Sequence, residues 1–224
     1  MQIEYQVKYS NRKTITITVE RDRSIIVRAP RGAGPEEINK IVESKKFWLY
    51  EKLKTAKKYT TEQPLKEFVS GETVLYMGKK YRLEIEKSTE ESIRFAGKFI
   101  IAAVSSERAS EVFKNWYKKQ AAGKIPSRVK RYARNLGVRY NQVFVSDMKY
   151  RWGSCTPKDN LNFNWRLIKA PMFVIDYVIV HELAHFLESN HTPRFWTIVE
   201  IQVPKFRKAK DWLKENGALL ENEF

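Results

Sequence analysis

Residues 174–191 read VIDYVIVHELAHFLESNH, and this stretch contains all three histidines of the 224-residue chain. Its first part predicts a helix, because apolar residues recur at helical spacing from Ile175 to Leu187. His181 and His185 are four positions apart, so they project from one helix face with Cβ atoms about 5–6 Å apart. That separation suits two imidazole nitrogens that each lie about 2.0–2.1 Å from one zinc ion.

Glu182 and His191 complete the predicted metal site. Glu182 is rotated about 100° from His181 around the helix, so it lies beside the metal and can accept a proton from the bound water. His191 would lie about 15 Å beyond His181 along an unbroken helix. The helix must therefore end. Asn190 tolerates the left-handed conformation that ends a helix, and Pro193 can open the next one. Three neutral imidazoles and a water make an open, catalytic type of site, so we expect one zinc per chain.

Three segments resemble one known family. They are RWGSC (151–155), LNFNWRLIKAP (161–171) and DYVIVHELAHFLESNHTPRFW (176–196). In combination they resemble the YgjP-like family of predicted zinc metallopeptidases, which are similar to SprT-like and WLM-type zincins. The resemblance is strongest over about 140–215, and VRAP followed by a tryptophan-containing helix extends it to most of the chain. It implies that the three histidines bind zinc and that Glu182 is the general base.

Other ligand sets stay open. A metzincin would have glycine where this chain has Glu188, and no Met-turn is evident, so we do not assign that class. A glutamate-ligated zincin would use Glu200 in place of His191, although Glu200 lies only fifteen residues after His185. Cys155 is the single cysteine, which excludes an internal disulfide. A purely structural site would need it as fourth ligand, but we expect an inert, buried thiol.

The whole pattern predicts an α+β fold. Residues 1–104 are predicted to form an antiparallel β-rich N-terminal subdomain with one helix, and residues 105–140 a basic helical connector. Residues 141–224 are predicted to form a zincin-like α/β catalytic subdomain that contains the HExxH active-site helix.

The first half contains clear strand and helix patterns. Residues 3–9 and 15–19 alternate on either side of a short polar turn, which predicts a hairpin, and 24–30 is a third strand. Residues 34–59 predict one helix. Two further strand pairs are centred on the turns Met77-Gly78 and Ala96-Gly97.

Turn and breaker residues divide the second half. Gly123 and Pro126 are predicted to interrupt the basic helix, and Gly217 to end the last helix. Residues 141–155 and 160–168 are predicted to form paired strands, whose edge is a candidate for binding an extended peptide.

The net charge of +16 is unevenly distributed. Residues 105–140 contain 10 Lys and Arg but only two Asp and Glu, so half of the excess lies in 36 residues. This segment indicates a polyanionic partner, either nucleic acid or a nucleotide. The alternative is a lysine-rich surface that only contacts solvent.

A hydrolase of this kind needs a donor that stabilises the oxyanion. No fourth histidine exists, so the candidates are Tyr150, Tyr177, Arg151 and Arg194. Arg151 has an alternative, structural interpretation, in which it pairs with Asp147 or Asp176. Gly153 is expected to mark a turn or bulge, and Phe195 and Trp196 are expected to pack against the returning loop.

Together these features predict a zinc-dependent metallopeptidase. Glu182 would activate the zinc-bound water and later protonate the leaving nitrogen of a peptide or protein substrate. The alternatives are a metal-dependent nucleotide or phosphoanhydride hydrolase, and a nucleic-acid-associated protein with a metal site.

No apolar run approaches the roughly 20 residues of a membrane span. The first residues alternate like a strand and lack an apolar signal core, so we expect a cytoplasmic protein.

Overall fold

The computed structural model describes residues 3–19, 24–56, 66–87, 92–148 and 151–221. Its contacts divide the chain into two compact units, Met1–Gln63 and Pro64–Phe224. The α+β class predicted from the sequence is confirmed, because helices and small sheets occur in both units. The subdomain boundaries at residues 104 and 140 stay a prediction.

The described residues of the first unit form one three-stranded sheet and two helices. Its elements are β1 (Gln6–Ser10), β2 (Thr16–Val19), β3 (Ile25–Pro30), α1 (Pro35–Ser44) and α2 (Lys46–Ala56). The strand order is β1-β3-β2, with β3 parallel to β1 and antiparallel to β2. The predicted hairpin between β1 and β2 is therefore wrong.

Burial explains the central position of β3. Ile25, Ile26 and Val27 are consecutive and all buried, as expected of a strand that is covered on both faces. The strand β1 is largely exposed, and β2 has one exposed and three half-buried residues. The predicted helix 34–59 is broken at Lys45, and its last residues lie outside the described part of the chain.

The second unit begins with a four-stranded sheet. Its strands are β4 (Thr73–Tyr76), β5 (Lys79–Glu86), β6 (Ile93–Phe95) and β7 (Phe99–Ala102). The order is β4-β5-β7-β6, in which β4–β5 and β6–β7 are antiparallel and β5–β7 is parallel. Both predicted strand pairs are confirmed.

The rest of the second unit is mainly helical around a second sheet. Its elements are α3 (Ser106–Leu136), β8 (Val143–Ser146), β9 (Gly153–Cys155), β10 (Leu161–Asn164), a 3₁₀ helix (Trp165–Lys169), α4 (Met172–Ala184), α5 (Pro193–Gln202) and α6 (Phe206–Glu221). The strand order β8-β10-β9 places β9 at an edge of its sheet. The predicted pairing across residues 156–160 is the antiparallel β9–β10 pair.

The helix α3 continues without interruption through Gly123 and Pro126, contrary to the prediction. Tyr117, Ala121, Ile125 and Val129 are each 0% exposed. Proline inside a helix costs about 3 kcal/mol, whereas burying one aliphatic side chain contributes about 1.5–3 kcal/mol. The buried stripe on both sides of the proline therefore outweighs the lost hydrogen bond.

The helix α6 also passes its predicted end at Gly217 and reaches Glu221. Leu220 is fully buried, and the buried Lys169 donates from Nζ to the Leu220 carbonyl at 3.2 Å. These contacts stabilise the last turn. A helical glycine is only about 1 kcal/mol less favourable than alanine, so Gly217 does not end the helix.

The helix α4 is the centre of the second unit. It packs against α3, α5, α6 and β9, and most of its residues are buried. Its start is fixed by the β4–β5 turn, where Met77 and Gly78 donate from their amides to carbonyls of the 3₁₀ helix. Asp176 on α4 binds Arg128 of α3 through two side-chain hydrogen bonds. Among the described residues, no helix is long and apolar enough to cross a membrane.

Candidate active site

The chain reverses direction directly after α4, as the histidine spacing required. The helix ends at Ala184, and i+3 hydrogen bonds tighten the next turn, in which the Leu187 amide donates to the Ala184 carbonyl at 3.0 Å. Thr192 then caps α5 by accepting a hydrogen bond from the Phe195 amide at 3.3 Å. Asn190 is not among the described residues with positive φ, so the chain does not use the left-handed conformation that Asn190 tolerates. The tight turn makes that conformation unnecessary.

The reversal brings the three histidine rings together. The ring centroids of His181, His185 and His191 are 4.9, 5.0 and 5.1 Å apart, so they form a nearly equilateral triangle. One nitrogen of each ring lies within 4.8 Å of the others. The Nε2 atoms of His181 and His191 are 3.1 Å apart, close to the roughly 3.3 Å that tetrahedral ligands about 2.05 Å from zinc require.

The protonation states also suit a metal. Burial and the neighbouring His185, His191 and Lys210 lower the pKa of His181 to about 3, so its ring is neutral. The pKa of His191 is lowered by the same kinds of cause. Neutral imidazoles offer lone pairs to a cation, and an all-nitrogen donor set is one that zinc accepts. These residues therefore fit a zinc ion.

Glu182 lies beside this triangle but not in it. Only the three histidines form the described group of potential ligands. The Glu182 side chain is buried, and its carboxyl group accepts a hydrogen bond from the Cys155 amide. Burial raises the pKa of Glu182 to about 7, although the Cys155 amide and the Arg151 guanidinium act in the opposite direction. A carboxyl group with a pKa near neutrality can both accept and return a proton.

Gly153 allows β9 to approach Glu182 closely. A Cβ atom at this position would lie 2.7 Å from both Cγ and Oε1 of Glu182. The expected turn or bulge is wrong, because Gly153 begins a regular strand and its φ is not positive. The RWGSC segment therefore contacts the candidate base through Gly153 and Cys155, and Arg151 acts on it electrostatically.

A stack of aromatic rings supports His191, which is exposed and lies in a loop. His191 stacks on Trp196 at 5.7 Å, and Trp196 stacks on Phe206 at 5.4 Å. Phe206 stacks on Tyr177 at 6.4 Å. Phe195 contacts all three histidine rings, with centroids 4.7–5.0 Å away. The prediction that Phe195 and Trp196 pack against the returning loop is confirmed.

The candidate oxyanion donors lie in different surroundings. Tyr177 is buried against His181, and burial together with nearby Glu182 raises the pKa of Tyr177 to about 12, so it is a neutral donor. Arg151 and Arg194 are exposed. Tyr150 lies outside the described residues.

The structure also shows where the alternative partners of Arg151 lie, and where the alternative zinc ligands Glu200 and Cys155 lie. Asp147 binds Arg166, and Asp176 binds Arg128, so neither carboxylate holds Arg151 in the described part of the chain. Glu200 instead forms an ion pair with Arg207 at 2.6 Å. The Cys155 Sγ lies 3.7 Å from the Thr156 carbonyl oxygen, and burial raises the pKa of its thiol. None of these groups joins the histidine cluster.

Sequence analysis missed Lys210. Its Nζ lies 4.8 Å above the Trp196 ring, and its charge contributes to the lowered pKa values of His181 and His191. Lys210 is one of several lysines on α6, and no local pattern distinguishes it. Only the packing of α6 beside α5 could identify it.

Comparison with known proteins agrees with this geometry. The model of the YgjP-like metallopeptidase domain matches residues 13–216. This chain belongs to the YgjP-like family. The family assignment confirms the resemblance seen in the sequence and makes this YgjP-like protein a metallopeptidase, whose substrates are peptides or proteins. It does not favour the nucleotide hydrolase alternative.

Two solved structures are similar to parts of this YgjP-like chain. The metallopeptidase zymogen of Pyrococcus abyssi abylysin has 19% identity and a TM-score of 0.36, over 39% of this chain and 89% of that one. The zymogen of Methanocaldococcus jannaschii jannalysin has 20% identity and a TM-score of 0.34, over 39% and 94%. No curated protein matches the chain.

Proposed function

We propose that this protein is a zinc-dependent peptidase. His181, His185 and His191 would hold one zinc ion, and Glu182 would transfer protons during hydrolysis. When bound, zinc supplies Lewis acidity, which polarises a substrate carbonyl and lowers the pKa of water. The observation that carries the proposal is the buried Glu182 carboxyl group beside the histidine triangle but outside its ligand group.

Glu182 would act first as a base and then as an acid. In its carboxylate form it accepts a proton from the attacking water, and in its protonated form it returns that proton to the leaving nitrogen. The Cys155 amide orients the carboxyl group during both steps. The neutral Tyr177 phenol and the Arg151 guanidinium are candidate donors to the oxyanion, and the sequence offers Tyr150 and Arg194 as further ones.

The edge of β9 would align the peptide. The Asn164 amide donates to the Trp152 carbonyl, and the Thr156 amide donates to the Asn160 carbonyl, both at 2.9 Å. Backbone groups alternate in direction along a strand, so Gly153 and Cys155 direct theirs away from β10. The Cys155 amide already donates to Glu182, so an extended substrate could pair with the Gly153 groups and the Cys155 carbonyl, next to Glu182.

The test is hydrolysis of casein and of quenched fluorescent peptides. The wild type should cleave them, and Glu182→Gln should retain zinc while losing at least about 100-fold in kcat. A substitution that removes both zinc and activity would assign Glu182 to the ligand set. Equal cleavage by the two proteins would reject its role as a base.

We also propose that one face of α3 binds a polyanion such as nucleic acid. Lys119, Gly123, Ser127, Lys130 and Arg134 follow one another at i+4, i+4, i+3 and i+4, so they lie on one side of the helix. All of them are exposed, opposite the buried stripe. None of the ion pairs among the described residues includes a basic residue of this face.

Binding by such a face should weaken steeply with salt, because each neutralised phosphate releases about one counterion. The measurement is fluorescence anisotropy of labelled DNA and RNA across a salt series. A variant with Lys119, Lys130 and Arg134 changed to Gln should lose about three units of salt slope. Its control carries the same charge change at Lys79, Lys80 and Lys205. Equal slopes for the two variants would contradict the proposal.

A further inference from the structure

Two basic side chains act electrostatically on the candidate active site. Lys210 on α6 acts electrostatically on His181 and His191, and Arg151, just before β9, acts on Glu182. Both basic side chains are exposed, so they can reach a bound molecule. The acidic Glu200 on α5 is already paired with a neighbouring arginine.

Lys210 is held in a defined place. Its ammonium lies 4.8 Å from the centroid of the Trp196 ring, within the range of a cation–π contact. The same Trp196 ring stacks on His191 at 5.7 Å and lies 6.0 Å from His181. The Trp196 ring therefore contacts both a candidate metal ligand and a lysine ammonium.

Neither metal binding nor an ion pair accounts for this lysine. A positive charge beside the ligands repels a divalent cation, so it weakens metal binding. No ion pair among the described residues includes Lys210. An anionic group that enters together with the substrate would benefit from this charge.

We infer that the enzyme prefers acidic peptides, with Lys210 binding a substrate carboxylate close to the scissile bond. Arg151 would favour a carboxylate on the Glu182 side of the site. The inference rests on the proposed peptidase function and adds the substrate class to it. The carboxylate would be a side chain of Asp or Glu in the peptide.

The test uses three quenched peptides that differ only in having Glu, Gln or Lys at the residues flanking the scissile bond. The wild type should cleave the Glu peptide about fivefold faster in kcat/KM than the Gln peptide, the order expected of a partly exposed ion pair. Lys210→Gln should remove this preference, and Lys210→Glu should reverse it in favour of the Lys peptide. Both variants should keep the wild-type zinc content.

Lys208→Gln is the matched control. Lys208 lies on the same helix, with its Nζ 5.7 Å from the Phe173 ring, and it is not among the groups that lower the pKa of His181 or His191. This variant should keep the preference for the Glu peptide. A second readout needs no turnover: labelled Glu and Gln peptides are titrated with Glu182→Gln protein by anisotropy. The Glu peptide should bind about fivefold more tightly, and salt should reduce the difference.

Several results would overturn the inference. Equal kcat/KM for the three peptides in the wild type would reject it and leave the peptidase proposal intact. An equal loss on all three peptides in Lys210→Gln would instead assign Lys210 to the reacting carbonyl oxygen. If no peptide shows cleavage that depends on Glu182, the proposed function fails, and the inference fails with it.

Discussion

Replacing Gly153 with Ala tests how β9 positions the candidate base. The new Cβ would lie 2.7 Å from Cγ and Oε1 of Glu182 and 3.0 Å from its Cδ. Carbon contacts are favourable at about 3.5–4.0 Å, so the carboxyl group or the strand must move by roughly 0.8 Å or more. Glu182 lies on a helix that is packed on several sides, and β9 is an edge strand. We therefore expect the contact between the Glu182 side chain and β9 to change, while the helix stays in place.

The movement separates the Glu182 carboxyl group from the Cys155 amide and from its position beside the histidines. A misplacement of about 1 Å can reduce a rate by about 100-fold, so kcat should fall by that order. Overpacking should also lower the free energy of unfolding by about 1–3 kcal/mol. Zinc binding should be unchanged, because the three atoms nearest to the new methyl group all belong to Glu182, which is not a proposed ligand.

The assay measures kcat on a quenched peptide, zinc content and urea unfolding for each variant. Gly123→Ala is the control, since an added Cβ there meets nothing within 4 Å, and it should keep the wild-type kcat. Glu182→Asp withdraws the carboxyl group from the strand, so the double variant with Gly153→Ala should be little worse than Glu182→Asp alone. Wild-type kcat in zinc-loaded Gly153→Ala would refute the reasoning, as would independent effects in the double variant.

Three further predictions follow from the described contacts. Burial raises the pKa of Glu182 to about 7, so metal-free protein should lose stability as pH rises from about 4.5 through 7. Glu182→Gln should then stabilise it at pH 8, by up to about 3 kcal/mol, but not at pH 4; urea unfolding with the same difference at both pH values would disagree. Trp196→Ala should weaken zinc binding about tenfold in a chelator competition, through loss of the ring beneath His191, and an unchanged zinc affinity would remove that role from the stack. Gly78→Ala should lower the melting temperature more than Gly97→Ala, because both glycines have positive φ but only the former would place a Cβ 2.5 Å from a proline carbon; equal shifts would contradict this.

Much of the candidate site could be predicted from the sequence, because its geometry is local. The i,i+4 spacing places His181 and His185 on one helix face, and the distance to His191 requires a reversal. The surroundings of Glu182 could not be predicted. Gly153 and Cys155 reach Glu182 from the strand β9, which is distant from α4 in the sequence. Nothing in RWGSC itself indicates which side chain the segment contacts.

The errors in the fold have a common physical origin. Pro126 and Gly217 are local helix breakers, and the burial of Ile125, Val129 and Leu220 outweighs them. The order of the first sheet depends on which strand is covered on both faces, and that strand is β3. Tertiary packing decides each case, and a single sequence does not contain it explicitly. The cytoplasmic location stays a prediction.

The central claim is that three histidines hold one zinc ion and that the glutamate beside them does not bind it. The most direct measurement is zinc per chain, by mass spectrometry of metals after dialysis, for the wild type, Glu182→Gln and the single variants His181→Ala, His185→Ala and His191→Ala. The account predicts about one zinc in the first two proteins and nearly none in the three histidine variants. Stoichiometric zinc in any of the histidine variants, or its loss from Glu182→Gln, would contradict it.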